Sequence, residues 1–81
     1  MIGFEWEEFY ERFTKNYEEF VFYYKLNKIA ISTGGYGGAA YLSYGNNIDG
    51  FITKDYLSPI ELLNDRLYDG HSLPEIWDLL E

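Results

Sequence analysis

Carboxylates are the side chains of this chain best suited to chemistry, because other chemically active residue types are scarce. Its 81 residues include 14 Asp and Glu, six Lys and Arg, one His and no Cys. Five carboxylates of the last quarter recur at helical spacings with only Arg66 as a neighbouring base: Glu61, Asp65, Asp69, Glu75 and Asp78. Such uncompensated acid predicts a surface that attracts the Lys and Arg side chains of a basic partner.

The charge of the chain is segregated along its length. The formal net charge is −8, with −4 in residues 1–19, +2 in residues 20–54 and −6 in residues 55–81. A sequence pI near 4.4 argues against direct binding to nucleic acid or to an anionic membrane, since both require clustered Lys and Arg. A basic protein is therefore the expected partner. The opposing interpretation is that the acidic faces are only the solvated sides of helices.

No constellation of residues indicates catalysis or cofactor binding. His71 is the only histidine, and the sequence has no second His or Cys to join it in a metal site. Gly35, Gly37 and Ala40 superficially match a dinucleotide fingerprint, but a strand-like segment follows where a helix is required. The sequence therefore predicts no catalytic, metal-binding or cofactor-binding residue. It also predicts that Tyr36 is exposed at a flexible hairpin tip.

The N-terminal segment has the hydrophobic period of an amphipathic helix. Glu8 precedes Arg12, and Glu11 precedes Lys15, by four residues, which predicts two ion pairs along the polar face of this helix. The aromatic residues fall at i, i+3, i+4, i+7 and i+11 and so share the other face: Trp6, Phe9, Tyr10, Phe13 and Tyr17.

The middle of the chain predicts an antiparallel sheet. Runs of β-forming residues at 20–24, 28–33, 39–44 and 51–54 alternate with turn signals, and the connections are too short for crossover helices. We therefore expect a meander of three or four strands. The first run is large and apolar on both faces, which a single layer of helices cannot fully cover.

Two capping boxes predict two short helices near the C-terminal end. Ser58 and Glu61, and then Ser72 and Glu75, have the Ser-x-x-Glu spacing of a helix start. The expected inward faces are Ile60, Leu63 and Leu67 in the first helix and Leu73, Ile76, Trp77 and Leu80 in the second. We thus expect residues 1–81 to form a single α+β domain. Its parts are an N-terminal helix, an antiparallel three- to four-stranded meander, and two short C-terminal helices packed on one face of the sheet.

Surplus tyrosines suggest a surface for a partner. Tyr36, Tyr44, Tyr56 and Tyr68 have no predicted inward position. Of these, Tyr36, Tyr56 and Tyr68 are predicted to anchor a partner beside the five carboxylates named above. The alternative is a structural or regulatory interaction protein that forms a homodimer through a free edge strand or through the second face of the sheet.

The C-terminal segment resembles the ending of small acidic proteins carried by bacterial phages and mobile elements. The resemblance rests on residues 57–63 (LSPIELL) and 69–78 (DGHSLPEIWD). Anti-CRISPR proteins are prominent among characterised phage proteins of this size and charge. The resemblance implies a non-enzymatic inhibitor that binds a basic nuclease, such as a CRISPR effector, and blocks its nucleic-acid site. It also implies that the protein acts in the cytoplasm of the host bacterial cell.

Overall fold

One helix, four strands and two short helices follow one another in the computed structural model, which describes residues 2–34 and 38–81. The prediction of an exposed hairpin tip at Tyr36 lies outside these described residues. In chain order the elements are helix α1 (Trp6–Thr14), strands β1 (Phe20–Tyr24), β2 (Asn27–Thr33), β3 (Ala40–Asn46) and β4 (Gly50–Tyr56), helix α2 (Pro59–Asn64) and a C-terminal 3-10 helix (Pro74–Leu79).

The four strands form one antiparallel sheet in the order β1-β2-β3-β4. This confirms the predicted meander and the α+β architecture. Side chains alternate between two faces of the sheet, as strand geometry requires. The helices pack on the inner face. We call the other side the open face; it carries the exposed side chains of Val21, Tyr23, Tyr41 and Phe51.

Phe9 is the centre of an aromatic cluster that joins α1 to the sheet and to the 3-10 helix. The centroid of its ring lies 4.9 Å from that of Phe20, 5.4 Å from that of Phe22 and 4.8 Å from that of Trp77. Trp77 also meets Trp6 edge-on, at a centroid distance of 5.2 Å. The rings thus attach both ends of the domain to strand β1.

Helix α1 is shorter than the aromatic stripe predicts. Phe9 and Phe13 are fully buried, as expected, but Tyr10 is exposed. Tyr17 lies beyond the end of the helix at Thr14 and has a positive φ of 59°. Only about two turns of the stripe therefore face the sheet.

Both predicted ion pairs of α1 are present. Arg12 Nη1 lies 3.3 Å from Glu8 Oε2, and Lys15 Nζ lies 3.8 Å from Glu11 Oε1. Arg12 also donates from Nη2 to Glu18 Oε1 at 2.8 Å. This additional pair ties the segment after the helix back onto it.

The first capping box forms and starts helix α2. Ser58 Oγ accepts a hydrogen bond from the Glu61 amide at 3.2 Å. The helix ends at Asn64, however. Asp65 and Asp69 therefore lie in the connection after it, and the predicted helical stripe that joins them to Glu61 is wrong.

The inward face of α2 is also rotated relative to the prediction. Leu63 is buried and Leu67 is partly buried, as expected, but Leu62 is buried in place of Ile60, which is 41% exposed. A helix of six residues makes little more than one and a half turns. Its inward residues are set by contacts with the core and need not extend a longer periodic stripe.

The second C-terminal helix is of the 3-10 type, and its inward face agrees with the prediction. Leu73, Ile76 and Leu80 are buried, and Trp77 is partly buried against the core. The reciprocal half of its capping box is present, because the Ser72 amide donates to a carboxylate oxygen of Glu75 at 2.8 Å.

Strand β1 is paired on its outer side at one residue. The Tyr23 amide donates to the Glu81 carbonyl at 2.8 Å, and the Glu81 amide donates to the Tyr23 carbonyl at 2.9 Å. These two bonds satisfy part of the β1 edge. Strand β4 forms the other edge of the sheet.

Gly45 in β3 occupies a position that a larger residue cannot fill. Its φ is +153°, and a Cβ there would lie 2.8 Å from the Cα of Phe51 and closer still to the carbonyl oxygen of Gly50. Real Cβ atoms essentially never come so near to backbone atoms. The backbones of β3 and β4 can approach each other here because residue 45 has no side chain.

We expect Gly45→Ala to lower the free energy of unfolding by about 2 to 4 kcal/mol, since both the backbone angle and the adjacent strand must relax. Denaturant unfolding followed by tryptophan fluorescence measures the change. Gly3→Ala is the matched control, because a Cβ at Gly3 meets nothing within 4 Å. Equal losses in the two variants would contradict the packing described for β3 and β4.

Candidate interaction surfaces

Asp65 is held inside the protein's own hydrogen-bond network. Its Oδ2 accepts a hydrogen bond from Lys54 Nζ at 2.6 Å and another from the Tyr56 hydroxyl at 2.6 Å. The hydrogen bond from Lys54, followed by that from Tyr56, holds the pKa of the Asp65 carboxyl below its ordinary value of 3.8. This carboxylate joins the segment after α2 to strand β4.

Asp69 has an equivalent arrangement with the β1–β2 turn. Its Oδ2 accepts from Lys25 Nζ at 2.6 Å and from the Tyr24 hydroxyl at 3.0 Å. The hydrogen bond from Lys25, and then that from Tyr24, lowers the pKa of Asp69. Asp69 has a positive φ of 56°, in a tight turn whose flanking residues, Tyr68 and His71, exchange two backbone hydrogen bonds.

Glu75 is the third predicted site residue with internal partners. Its hydrogen bond from the Ser72 backbone, followed by that from the Ser72 hydroxyl, lowers the pKa of its carboxyl. Arg66 Nη1 lies 3.5 Å from its Oε1. The expectation that the C-terminal carboxylates lack basic company is therefore wrong for Asp65, Asp69 and Glu75.

Tyr68 is a core residue, so its predicted role as a surface anchor is wrong. It is fully buried, with its ring centroid 6.3 Å from that of Tyr24 and 5.1 Å from that of Tyr44. Tyr44 and Tyr56 also pack against the core. The Tyr56 hydroxyl is committed to Asp65, and burial raises the pKa of both Tyr56 and Tyr68.

The remaining predicted residues, Glu61 and Asp78, stay exposed and belong to a larger set of unpaired carboxylates. Among the residues that the structure describes, six of the 14 carboxylates take part in ion pairs. Lys28 forms no ion pair within residues 2–34 and 38–81. The same holds for eight acidic residues: Glu5, Glu7, Glu19, Asp49, Asp55, Glu61, Asp78 and Glu81.

Glu5, Glu8 and Asp78 line one hollow of about 500 Å³ together with the rings of Phe4 and Trp77. We call this feature the acidic hollow. Phe4 and Trp77 lie 6.1 Å apart between ring centroids, so aromatic packing joins the chain before α1 to the 3-10 helix. Carboxylates beside aromatic rings suit an Arg or Lys side chain, which can form ion pairs and a cation–π contact at once.

The acidic hollow was not predicted from the sequence. Glu5 and Asp78 lie at opposite ends of the chain, and the contacts of Trp77 with Phe4, Trp6 and Phe9 bring their segments together. The available signal was the presence of two tryptophans, each next to a carboxylate. That pattern does not specify that the tryptophans meet.

The open face contains a second candidate surface. A depression of about 450 Å³ lies over its strands, and its lining includes Val21, Ser32, Tyr41 and Thr53. Val21 is 52% exposed and Tyr23 is 49% exposed, although both lie in the interior of β1. The expectation that this strand is apolar on both faces is confirmed, and its outward face remains accessible.

The described residues contain no group of three or more His, Cys, Asp or Glu side chains arranged to hold a metal ion. His71 is exposed in the tight turn after Tyr68. In the part of the chain that the structure describes, no helix is long and apolar enough to cross a membrane.

Comparison with known proteins gave no match to a family model, to a curated protein or to a solved structure.

We expect the acid sensitivity of the fold to depend on Asp65. A carboxyl whose pKa is lower in the folded state stabilises the protein fully above its unfolded pKa, and this contribution is lost as the pH falls through the folded value. The free energy of unfolding should therefore decline below about pH 4. At pH 7, Asp65→Asn should lower it by about 1 to 2 kcal/mol and should make the decline at low pH shallower.

Chemical denaturation measures the free energy of unfolding of the wild type and of Asp65→Asn, and it is repeated between pH 2.5 and pH 7 in steps of roughly one pH unit. Glu19→Gln is the control, because it removes one negative charge at an exposed residue for which the described structure shows no ion pair. Parallel pH profiles for the wild type and Asp65→Asn would contradict the role assigned to Asp65.

Proposed function

We propose that this protein is a non-enzymatic inhibitor that binds a basic nucleic-acid-binding protein and occupies its nucleic-acid site. The specific form that we propose is an anti-CRISPR protein acting on a CRISPR effector nuclease in the host bacterial cytoplasm. The observation that supports this proposal is the acidic hollow, which Glu5, Glu8 and Asp78 line together with Phe4 and Trp77.

The acidic hollow offers a partner's Arg two kinds of contact. Glu5 and Asp78 have no ion pair among the described residues, whereas Glu8 shares its charge with Arg12 at 3.3 Å. A guanidinium entering the hollow would pair with the unshared carboxylates and stack on the aromatic rings. Since Trp77 is anchored by Phe9 and Phe22, the rings are already in place before a partner binds.

The negative charge of the inhibitor attracts its target over a distance and favours a basic partner. A protein of net charge −8 is drawn to the positive cleft that a nuclease uses to hold nucleic acid. Carboxylates would take the places of phosphates there, and the guide or target strand would be excluded. The attraction is screened over about 8 to 10 Å at ordinary ionic strength, so binding should weaken strongly as salt is raised.

The proposed contact set differs from the one suggested by the sequence. Asp65, Asp69 and Glu75 are partly neutralised by Lys54, Lys25 and Arg66, and they hold the C-terminal segment in shape. Glu5 joins the set, and Asp78 and Glu61 remain in it. Exposed pairs of opposite charge contribute little individually, so several must act together.

We expect the double variant Glu5→Gln/Asp78→Asn to bind its target about tenfold more weakly, because two unshared carboxylates of the hollow are removed. The target is first isolated by affinity capture from nuclease-treated lysate of a host with CRISPR effectors, at low and at high salt. The affinity of each variant for the isolated protein is then measured, and cleavage of target DNA is titrated with the inhibitor.

The matched control is Asp49→Asn/Glu81→Gln, which removes the same charge from exposed sites outside the hollow and should retain most of the affinity. Equal weakening in the two double variants would contradict the role of the hollow. The inhibitor function itself would be refuted if the captured protein bound equally well with its guide and target in place, or if no nucleic-acid-binding protein were captured.

A further inference from the structure

The open face is organised into three rows that run across the strands. Each row has four residues, one from each strand position; the pairing registers align them, and Glu19, directly before β1, lines the same depression as its row neighbours. The acidic row is Glu19, Ser32, Tyr41 and Asp55; the middle row is Val21, Ala30, Ser43 and Thr53; the lysine row is Tyr23, Lys28, Gly45 and Phe51.

Charge has opposite signs at the two ends of this face. Glu19 and Asp55 lie in the acidic row, and Lys28 lies in the lysine row; none of the three has an ion pair among the described residues. Lys28 and Ser32 are four residues apart on β2, so the two rows are separated by about 13 Å. The charges of one copy are therefore too far apart to pair with each other.

The large apolar side chains of the open face are also exposed to solvent. Val21, Tyr23, Tyr41 and Phe51 are between 44% and 52% exposed, whereas Phe22, Ile29 and Leu42 on the inner face of β1, β2 and β3 are buried under the helices. The middle row has small side chains in Ala30, Ser43 and Thr53, flanked by larger rings in the outer rows. A second sheet can approach closely over such a centre.

We propose that a second copy of this chain packs its open face against the first, with a two-fold axis that runs across the strands through the middle row. In this arrangement each strand lies over its own equivalent, and the acidic row of one copy faces the lysine row of the other. Lys28 of each copy then faces the acidic row of the other copy, and its offset from Glu19 of that copy, measured across the strands, is one strand spacing. The ring of Tyr41 lies over Gly45 of the other copy, where no side chain obstructs it.

The positions of the charges favour a two-fold axis across the strands over one that runs along them. A two-fold axis along the strands would place the acidic row against itself and the two Lys28 side chains near each other, which is unfavourable. The proposal is independent of the inhibitor function, because the acidic hollow lies outside the three rows.

The size of the face indicates a dimer in concentration-dependent equilibrium with monomer. Four strands about 4.8 Å apart, with side chains over three rows, give roughly 400 Å² per copy. The total of about 800 Å² lies below the roughly 1,200 Å² of stable specific interfaces, in the range of weak and transient ones. Self-association should therefore appear between about 10 µM and 1 mM protein.

Sedimentation of the full chain across this range of protein concentrations measures dimerisation. Variants that exchange the charges of Lys28 and Glu19 test the proposed pairing. Lys28→Glu and Glu19→Lys, each alone, should raise the concentration needed for half-dimerisation by at least tenfold. An equimolar mixture of the two variants should dimerise like the wild type, because each restores an opposite pair with the other. The double variant Glu19→Lys/Lys28→Glu should also recover dimerisation. Lys15→Glu and Glu7→Lys, which make the same charge changes at exposed residues directly after α1 and within it, are the controls and should behave like the wild type.

Three results would overturn the proposal. One is a wild type that stays monomeric up to about 1 mM. Another is a dimer that is insensitive to both single exchanges, as expected if copies pair through the edge of β4. The third is loss of dimerisation by the single variants without recovery in the mixture, with circular dichroism showing that each variant is folded.

Discussion

The packing of Phe9 against β1 and the 3-10 helix is the interaction on which the rest of the structure depends. Its ring contacts Phe20, Phe22 and Trp77 at centroid distances of 4.8 to 5.4 Å. Aromatic pairs of this kind contribute about 0.5 to 1.5 kcal/mol each beyond the burial of their area. Because these rings attach the helices to one face of the sheet, the other face is left uncovered and the two ends of the domain meet at the acidic hollow.

The acidic residues serve two different purposes. Some hold irregular segments in place through Lys and Arg, as Asp65 does with Lys54 and as Asp69 does with Lys25. Among residues 2–34 and 38–81, five of the six basic residues form ion pairs, and the exception is Lys28 on the open face. The carboxylates without a cation give the protein its long-range negative field, and a partner's basic side chains can reach them without breaking the fold.

The sequence predicted those parts of the fold that depend on local patterns. Turn residues between β-forming runs specify the meander, and the Ser-x-x-Glu boxes mark where the short helices begin. The candidate site was predicted less well, because it depends on contacts between residues far apart in the chain. Lys25 and Lys54 reach Asp69 and Asp65 only once the sheet has formed.

Burial of Tyr68 could not be predicted from the sequence for a similar reason. Its position follows from the tight turn to His71, which directs the ring between Tyr24 and Tyr44. Alternation within β1 was easier to interpret, since a strand of large apolar residues must present some of them outward.

The central claim is that strands β1 to β3 bury one face of the sheet under the helices and leave the other face available to a partner. Hydroxyl-radical footprinting at low protein concentration, with oxidation quantified residue by residue, tests it most directly. The account predicts rapid oxidation of Tyr23 and Tyr41 and slow oxidation of Phe22 and Tyr24, although Phe22, Tyr23 and Tyr24 are consecutive in the chain. Equal oxidation of Tyr23 and Tyr24 would contradict the division of the sheet into a buried and an open face.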